Sequence, residues 1–248
     1  MERLFCILGP DGHGTSAADA GDRESKRVAD FSTLDDATAA LSSEAREAAL
    51  DPAFGLVERP LGAGALTMRT RCWTLGDRYE LRTAHIRSPK IEIFTSFLYP
   101  DPSLRMPLYA MEFVILGRKP IVAVLDAVDL AGGDTAARIL EHAHREAPEM
   151  TNADDAPDWF LECRSGSDFF LRPESAETFD ALAAIHEHVV SALLAITDAP
   201  AAPDPDAHAA AIADYKHHHR VNSPGLPLLN RVLGEAWTEE YMTGVFFA

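Results

Sequence analysis

Between Leu66 and Ala127 the apolar residues recur in twos, and this constrains the fold more than any other feature of the chain. Leu66–Trp73, Tyr79–Ile86 and Ile91–Leu98 alternate or mix apolar with polar residues and are rich in β-branched and aromatic types. Gly76-Asp77 and Ser88-Pro89 supply the turn residues between them. Leu108–Leu116 and Pro120–Ala127 are more continuously apolar, as strands covered on both faces are, and Gly117-Arg118-Lys119 is short enough for a hairpin. Consecutive strands joined this tightly make an antiparallel meander with its last two members central.

Helical periodicity brackets the meander. Leu34–Ala49 is Ala-rich, carries Leu41 and Ala45 on one face, and reads as a helix capped near Ser32 or Thr33. After the strands, the pattern predicts a helix over Asp134–Arg145, a strand through Phe170, and a long helix over Glu174–Ile196. In that helix Phe179, Leu182, Ile185, Val189, Leu193 and Ile196 recur at three- and four-residue steps, with Glu174 and Glu177 in its first turn. Ala199–Pro205 then breaks the chain before a helix over Asp206–His219. Strands with helices at both sequence ends imply an α/β fold, a three-layer α/β/α sandwich with a central antiparallel sheet. At 248 residues and 47% hydrophobic, the chain fits one domain over 1–248. Residues 10–32 read as a flexible loop or tail after a short strand at Leu4–Leu8.

The formal net charge of −17 argues against nucleic acid or an anionic membrane surface as partner. No apolar run approaches the roughly 20 residues of a membrane span, and the N-terminus lacks a secretory layout. Cys6, Cys72 and Cys163 are widely spaced and read as free thiols of a reducing compartment. A cytoplasmic monomer is the expectation. Between Arg69 and Lys119 basic residues outnumber acidic ones, so either a local basic face for an acidic carrier or ordinary solvated strand faces is implied. Gly9-Pro-Asp-Gly-His-Gly14 lacks the Lys-Ser/Thr ending and the following apolar helix of a phosphate loop.

Three ordered segments carry a resemblance. The first is Phe97-Leu-Tyr-Pro-Asp-Pro-Ser-Leu-Arg-Met-Pro-Leu-Tyr-Ala-Met-Glu112-Phe-Val, followed by Ile121–Asp126. The second is Phe169-Phe-Leu-Arg172-Pro173. The third runs from Tyr215-Lys-His-His-His-Arg-Val-Asn222 to Glu-Ala-Trp237-Thr-Glu-Glu-Tyr241-Met and Phe247. In order and spacing the set resembles the ferredoxin-dependent bilin reductases, which reduce open-chain tetrapyrroles. The resemblance implies an α/β/α sandwich with the bilin between the sheet and the C-terminal helices. It implies biliverdin or a related bilin as substrate, reduced ferredoxin as electron donor and partner, and no tightly bound cofactor or metal.

Reduction by single electrons needs acids that place protons on chosen carbons, held in a poorly solvated pocket so that they are protonated near neutral pH. Glu112, the single acid within Leu108–Leu116, falls where the family's strand aspartate falls and is the expected proton donor; strand alternation alone also permits it to face solvent. His218 or His219 can face the pocket, with His218 taken as the catalytic one, and Asn222 matches the family's loop asparagine. Arg172 is retained and suits a substrate propionate. Thr95 stands where the phycocyanobilin-forming branch has a histidine, Thr83 where it has a glutamate, and Ser223 where an aspartate is usual. Thr95, Thr83, Ser223 and His85 are the expected substrate-binding positions beside Arg172. His217, His218 and His219 are consecutive and project about 100° apart, so they cannot share one metal ion. Pro224 replaces a common basic residue, and Asp126 reads as a turn or cap partner, with a functional role as the alternative. A glutamate at 112 resembles the red chlorophyll catabolite reductases, so an open-chain chlorophyll product stays an alternative substrate. A bilin carrier without turnover, and an interaction protein without pigment, stay open as well.

Overall fold

The computed structural model describes residues 31–117, 119–173 and 175–248. The strand read at Leu4–Leu8, the loop Gly9–Gly14, Cys6, Arg118 and Glu174 lie outside the described residues. Helix α1 spans Phe31–Ala40, and β1 (Ala45–Ala48) follows as an edge strand. The helix expected over Leu34–Ala49 therefore stops nine residues early, because Ala45–Ala48 pairs with the β3 segment Cys72–Leu75 and Glu47 binds Arg71 at 2.7 Å. A short α2 (Pro52–Gly55) leads into β2 (Leu56–Leu61), two elements that the sequence pattern does not announce.

The meander follows as β3 (Gly64–Leu75), β4 (Tyr79–Arg87), β5 (Ile91–Pro100), β6 (Leu108–Leu116) and β7 (Lys119–Val128). Gly76 and Gly117 adopt φ values of +64° and +66°, the left-handed turns that the hairpins require. Helix α3 (Thr135–Glu146) and a short α4 (Asp158–Leu161) come before β8 (Phe169–Leu171), which pairs with β7. Among the described residues the sheet has eight antiparallel strands, ordered β1-β3-β4-β5-β6-β7-β8 with β2 also on β3. The chain closes with α5 (Ala176–Leu194), α6 (Pro205–Asn222), α7 (Leu226–Leu233), α8 (Glu235–Tyr241) and a π-helical turn at Met242–Phe246.

Two cores lie on the two faces of this sheet. On one, Phe94, Phe113, Leu125 and Leu81 pack under α1, α3 and α5 through Phe31, Leu140, Leu182 and Val189. On the other, Ile93, Phe97, Ala110 and Val114 pack under α6, α7 and α8 through Ile212, Leu228, Leu229 and Tyr241. Each large side chain buried this fully contributes roughly 1.5–3 kcal/mol of transfer free energy. The fold is the three-layer α/β/α sandwich with a central antiparallel sheet. Among the described residues no helix is long and apolar enough to cross a membrane.

Strand alternation also disperses the basic residues. Cys72 faces Arg82 in the register while Arg71 faces Thr83, so the two arginines project to opposite faces. Arg71, Arg82 and Arg87 each meet a glutamate, at 2.7, 2.7 and 3.7 Å. The charge excess is thus divided between two faces and partly neutralised.

Candidate active site

One row of side chains crosses the second face. The register Thr70–Ala84–Thr95–Glu112–Val124–Phe170 links six strands through consecutive partners, so all six side chains share a face. The C-terminal helices are fastened above it. Thr70 Oγ1 lies 3.1 Å from the Tyr241 hydroxyl, and the Arg82 guanidinium donates to the Val245 carbonyl at 2.7 Å. Between this lid and the sheet runs a cleft with a smaller lobe of about 140 Å³ and a larger one of about 670 Å³. The larger lobe alone falls in the roughly 300–1,000 Å³ range of ligand pockets. Thr95, Glu112, Trp159 and His219 line both lobes, so Glu112 sits where they meet.

Glu112 faces the cleft, with Thr95 Oγ1 3.4 Å from its Oε2. Burial pushes its carboxyl up to about 6, against the lowering effect of the Thr95 hydroxyl. One ladder step away on β7, Asp126 lines the larger lobe and is 1% exposed. It accepts hydrogen bonds from the Ser165 backbone N–H at 3.0 Å and the Ser165 hydroxyl at 2.5 Å. Desolvation pushes it up to about 7; the Ser165 bonds oppose this and the Asp168 charge adds to it.

The histidine run divides as its spacing requires. His217 Nδ1 lies 3.0 Å from Arg220, and His218 Nε2 lies 2.6 Å from the Trp159 carbonyl. His219 alone enters the cleft, tilted on Tyr215 at 4.3 Å and edge-on to Phe97 and Trp159 at 5.6 and 5.5 Å. The expected catalytic position, His218, is thus engaged outside the cleft, and its neighbour takes the inward place because it lies four residues beyond buried Tyr215 on one helix face. Burial, with His218 beside it, pushes the His219 imidazole down to about 3, so it is neutral at physiological pH. Asn222 donates to the His218 carbonyl at 2.9 Å, closing the end of α6 and not lining the cleft.

Of the expected substrate-binding positions, Thr95 and Ser223 line the smaller lobe and Arg172 the larger. Thr83 and His85 do not join them. Ala84 is the β4 residue opposite Thr95, so its neighbours at 83 and 85 point to the other face. There His85 Nε2 lies 2.8 Å from Glu92 Oε1 and its ring meets Phe31 and Phe94 edge-on. Arg172 is already engaged: its guanidinium binds Asp155 at 3.0–3.2 Å and lies over the Phe170 ring, and this pairing holds the Asp155 carboxyl below its usual range. Trp159 is a cleft residue that sequence reasoning missed. Its Nε1 is buried without a partner among the described residues. Nothing in Pro157-Asp-Trp-Phe-Leu161 signals a site; only the docking of α4 against α6 brings it there. Among the described residues no group of three or more His, Cys, Asp and Glu side chains could hold a metal ion.

A sequence profile described as ferredoxin-dependent bilin reductase matches residues 34–248. The crystal structure of the selenomethionine form of phytochromobilin synthase from tomato in complex with biliverdin superposes with a TM-score of 0.71. It is 16% identical, over 88% of this chain and 81% of that one. Among curated proteins nothing matches the chain.

Proposed function

The chain belongs to the ferredoxin-dependent bilin reductases, and from that membership we propose that it reduces a linear tetrapyrrole, biliverdin or a close relative, with Glu112 as proton donor. The observation that carries the reading is the placement of Glu112 at the junction of two apolar lobes under the C-terminal helices. A conjugated tetrapyrrole accepts single electrons from reduced ferredoxin into its own π system, and the chain must then deliver protons while excluding water. An acid raised to about 6 is suited to both giving and regaining a proton near neutrality.

The surroundings support the same reading. Phe97, Val114, Leu228 and Phe246 offer apolar contacts to a flat, conjugated ligand. The unpartnered Trp159 Nε1–H can donate to a pigment carbonyl. Neutral His219 offers a ring nitrogen without placing a second positive charge beside the pigment. Arg172, at the edge of the larger lobe, can exchange Asp155 for a substrate propionate.

Glu112→Gln tests the assignment. It preserves size and hydrogen-bonding capacity but removes the transferable proton. Bilin affinity should stay within a few-fold of the parent while turnover with reduced ferredoxin falls roughly 10²- to 10⁴-fold. Equal loss of binding and turnover would contradict a proton-donor role.

A further inference from the structure

Turning one carbon–carbon double bond of a bilin into two C–H bonds consumes two electrons and two protons, and Glu112 holds one proton at a time. If ferredoxin delivers the electrons singly, two ferredoxins are oxidised per bond and a second proton must reach the pigment in the cleft. We propose that Asp126 is the second proton source: Glu112 and Asp126 each protonate one reacting carbon of the pigment and are afterwards reprotonated from solvent. This rests on the reading of the chain as a bilin reductase.

The register places the two acids on one face of the sheet. Ala110, two residues before Glu112 on β6, is the register partner of Asp126 on β7, so both carboxyls emerge on the cleft face one ladder step apart. Both line the larger lobe. Asp126 is the more enclosed of the two, at 1% exposure. A carboxyl so buried in the apolar strand Ile121–Val128 is costly unless neutralised, bonded or used. Ser165 supplies two donors and, among the described residues, no cation acts on it, so the arrangement keeps the acid in place without fixing it as a carboxylate.

The other titratable groups of the larger lobe do not serve. Asp155 is held ionised by Arg172, burial keeps the Tyr215 hydroxyl well above its ordinary value, and His219 carries no extra proton near neutrality. Cys163, whose Sγ lies 3.6 Å from His219 Nε2, is pushed up to about 12 by burial. Asp126 is raised to about 7. The charges acting on it come from the segment before β8, where Asp168 raises its proton affinity, while the nearby Cys163, Tyr109 and Tyr215 groups are neutral in this range. Asp168 is in turn opposed by Arg164, 3.4 Å away.

The test uses the full chain, biliverdin and reduced ferredoxin under anaerobic conditions, read by absorbance and by electron paramagnetic resonance. Asp126→Asn keeps an oxygen for the Ser165 backbone N–H, lets the Ser165 hydroxyl turn to accept from the new amide, and removes the acidic proton. It should bind biliverdin like the parent, take up one electron and accumulate an organic radical, with two-electron product slowed at least 100-fold. Asp126→Glu, which retains an acid, should restore a measurable part of the rate. An Asp126→Asn protein that makes product at the parental rate overturns the proposal, as does one that loses pigment affinity to the same extent as turnover. The parent supplies an independent reading should the variant not fold. Above pH 7 its single-turnover rate should fall about a hundredfold per pH unit if both acids must be protonated, and a tenfold slope contradicts this. A parent that binds no bilin overturns the proposal together with the reductase reading, whereas normal bilin reduction with an unimpaired Asp126→Asn variant overturns the proposal alone.

Discussion

Thr95 on β5 and Glu112 on β6 are direct register partners on the cleft face, with the Thr95 hydroxyl 3.4 Å from Glu112 Oε2. That hydroxyl stabilises the ionised carboxyl and so opposes the upward push of burial. Thr95→Val, nearly isosteric, removes the opposition and raises the proton affinity of Glu112. The alkaline limb of the kcat/KM profile should move up by roughly 0.4 pH unit, the equivalent of about 0.5 kcal/mol for a long hydrogen bond. A profile that stays in place or moves down would show that Glu112 does not set that limb.

Because His219 faces the cleft and His218 holds the Trp159 carbonyl, variants at the two positions should separate. His219→Leu should perturb the absorbance of bound pigment and its affinity. His218→Leu should leave the bound spectrum intact and lower stability by about 1 kcal/mol for the lost hydrogen bond. Pigment titrations paired with denaturant unfolding of each variant read both effects, and a spectral change confined to His218→Leu would reverse the assignment.

Asp155 competes with any carboxylate for Arg172. Both side chains are substantially exposed, and such pairs are worth roughly 0.2–1 kcal/mol. Asp155→Asn should therefore tighten biliverdin binding by up to about fivefold and Arg172→Gln should weaken it. Neither variant should alter the affinity of the pigment's dimethyl ester, whose propionates carry no charge. Equal effects on acid and ester would remove Arg172 from carboxylate recognition.

On the opposite face, His186 sits between Tyr109 and Thr38 at 2.8 and 2.9 Å, and the Thr38 hydroxyl donates to the Leu34 carbonyl at 2.7 Å. With that proton committed, Thr38 accepts from His186 Nε2–H, and His186 Nδ1 accepts from the Tyr109 hydroxyl. The imidazole is held neutral, its pKa pushed down to about 3 from 6.5 by burial. Between these values the folded state binds fewer protons than the unfolded chain, so this contribution to stability falls as the pH falls below 6.5, at up to about 1.4 kcal/mol per unit. His186→Leu should cost about 1–3 kcal/mol at pH 7 by orphaning the Tyr109 hydroxyl, and the gap to the parent should close on acidification. Parallel unfolding curves at pH 7, 6 and 5 measure it, and a constant gap would contradict a buried neutral histidine.

The strands of the meander and the long α5 are legible because their periodicity is local: two-residue alternation with Gly turns in one case, three- and four-residue spacing in the other, although β7 lies beside the edge strand β8 and is not central. The α1 boundary is not, because the Ala-rich segment after Ala40 is helix-compatible and only its pairing with Cys72–Leu75 makes Ala45–Ala48 a strand. In the cleft, Glu112 stands out as a lone acid in an apolar strand. Thr83 and His85 fall on the opposite face because Ala84 is the β4 residue that pairs with Thr95, and neighbours along a strand alternate between faces. His219 was readable from its spacing to Ile212 and Tyr215, whereas Trp159 depends on contacts between elements distant in sequence.

A bilin held in this cleft should be reduced there by ferredoxin electrons. The most direct measurement is an anaerobic absorbance time course with biliverdin, recorded before and after reduced ferredoxin is supplied. Mixing should perturb the pigment spectrum, and the long-wavelength band should then be lost or shift to the blue stepwise once electrons are available. A pigment that binds and stays unchanged under reduced ferredoxin, or one whose spectrum is not perturbed on mixing, would contradict bilin reduction in this cleft.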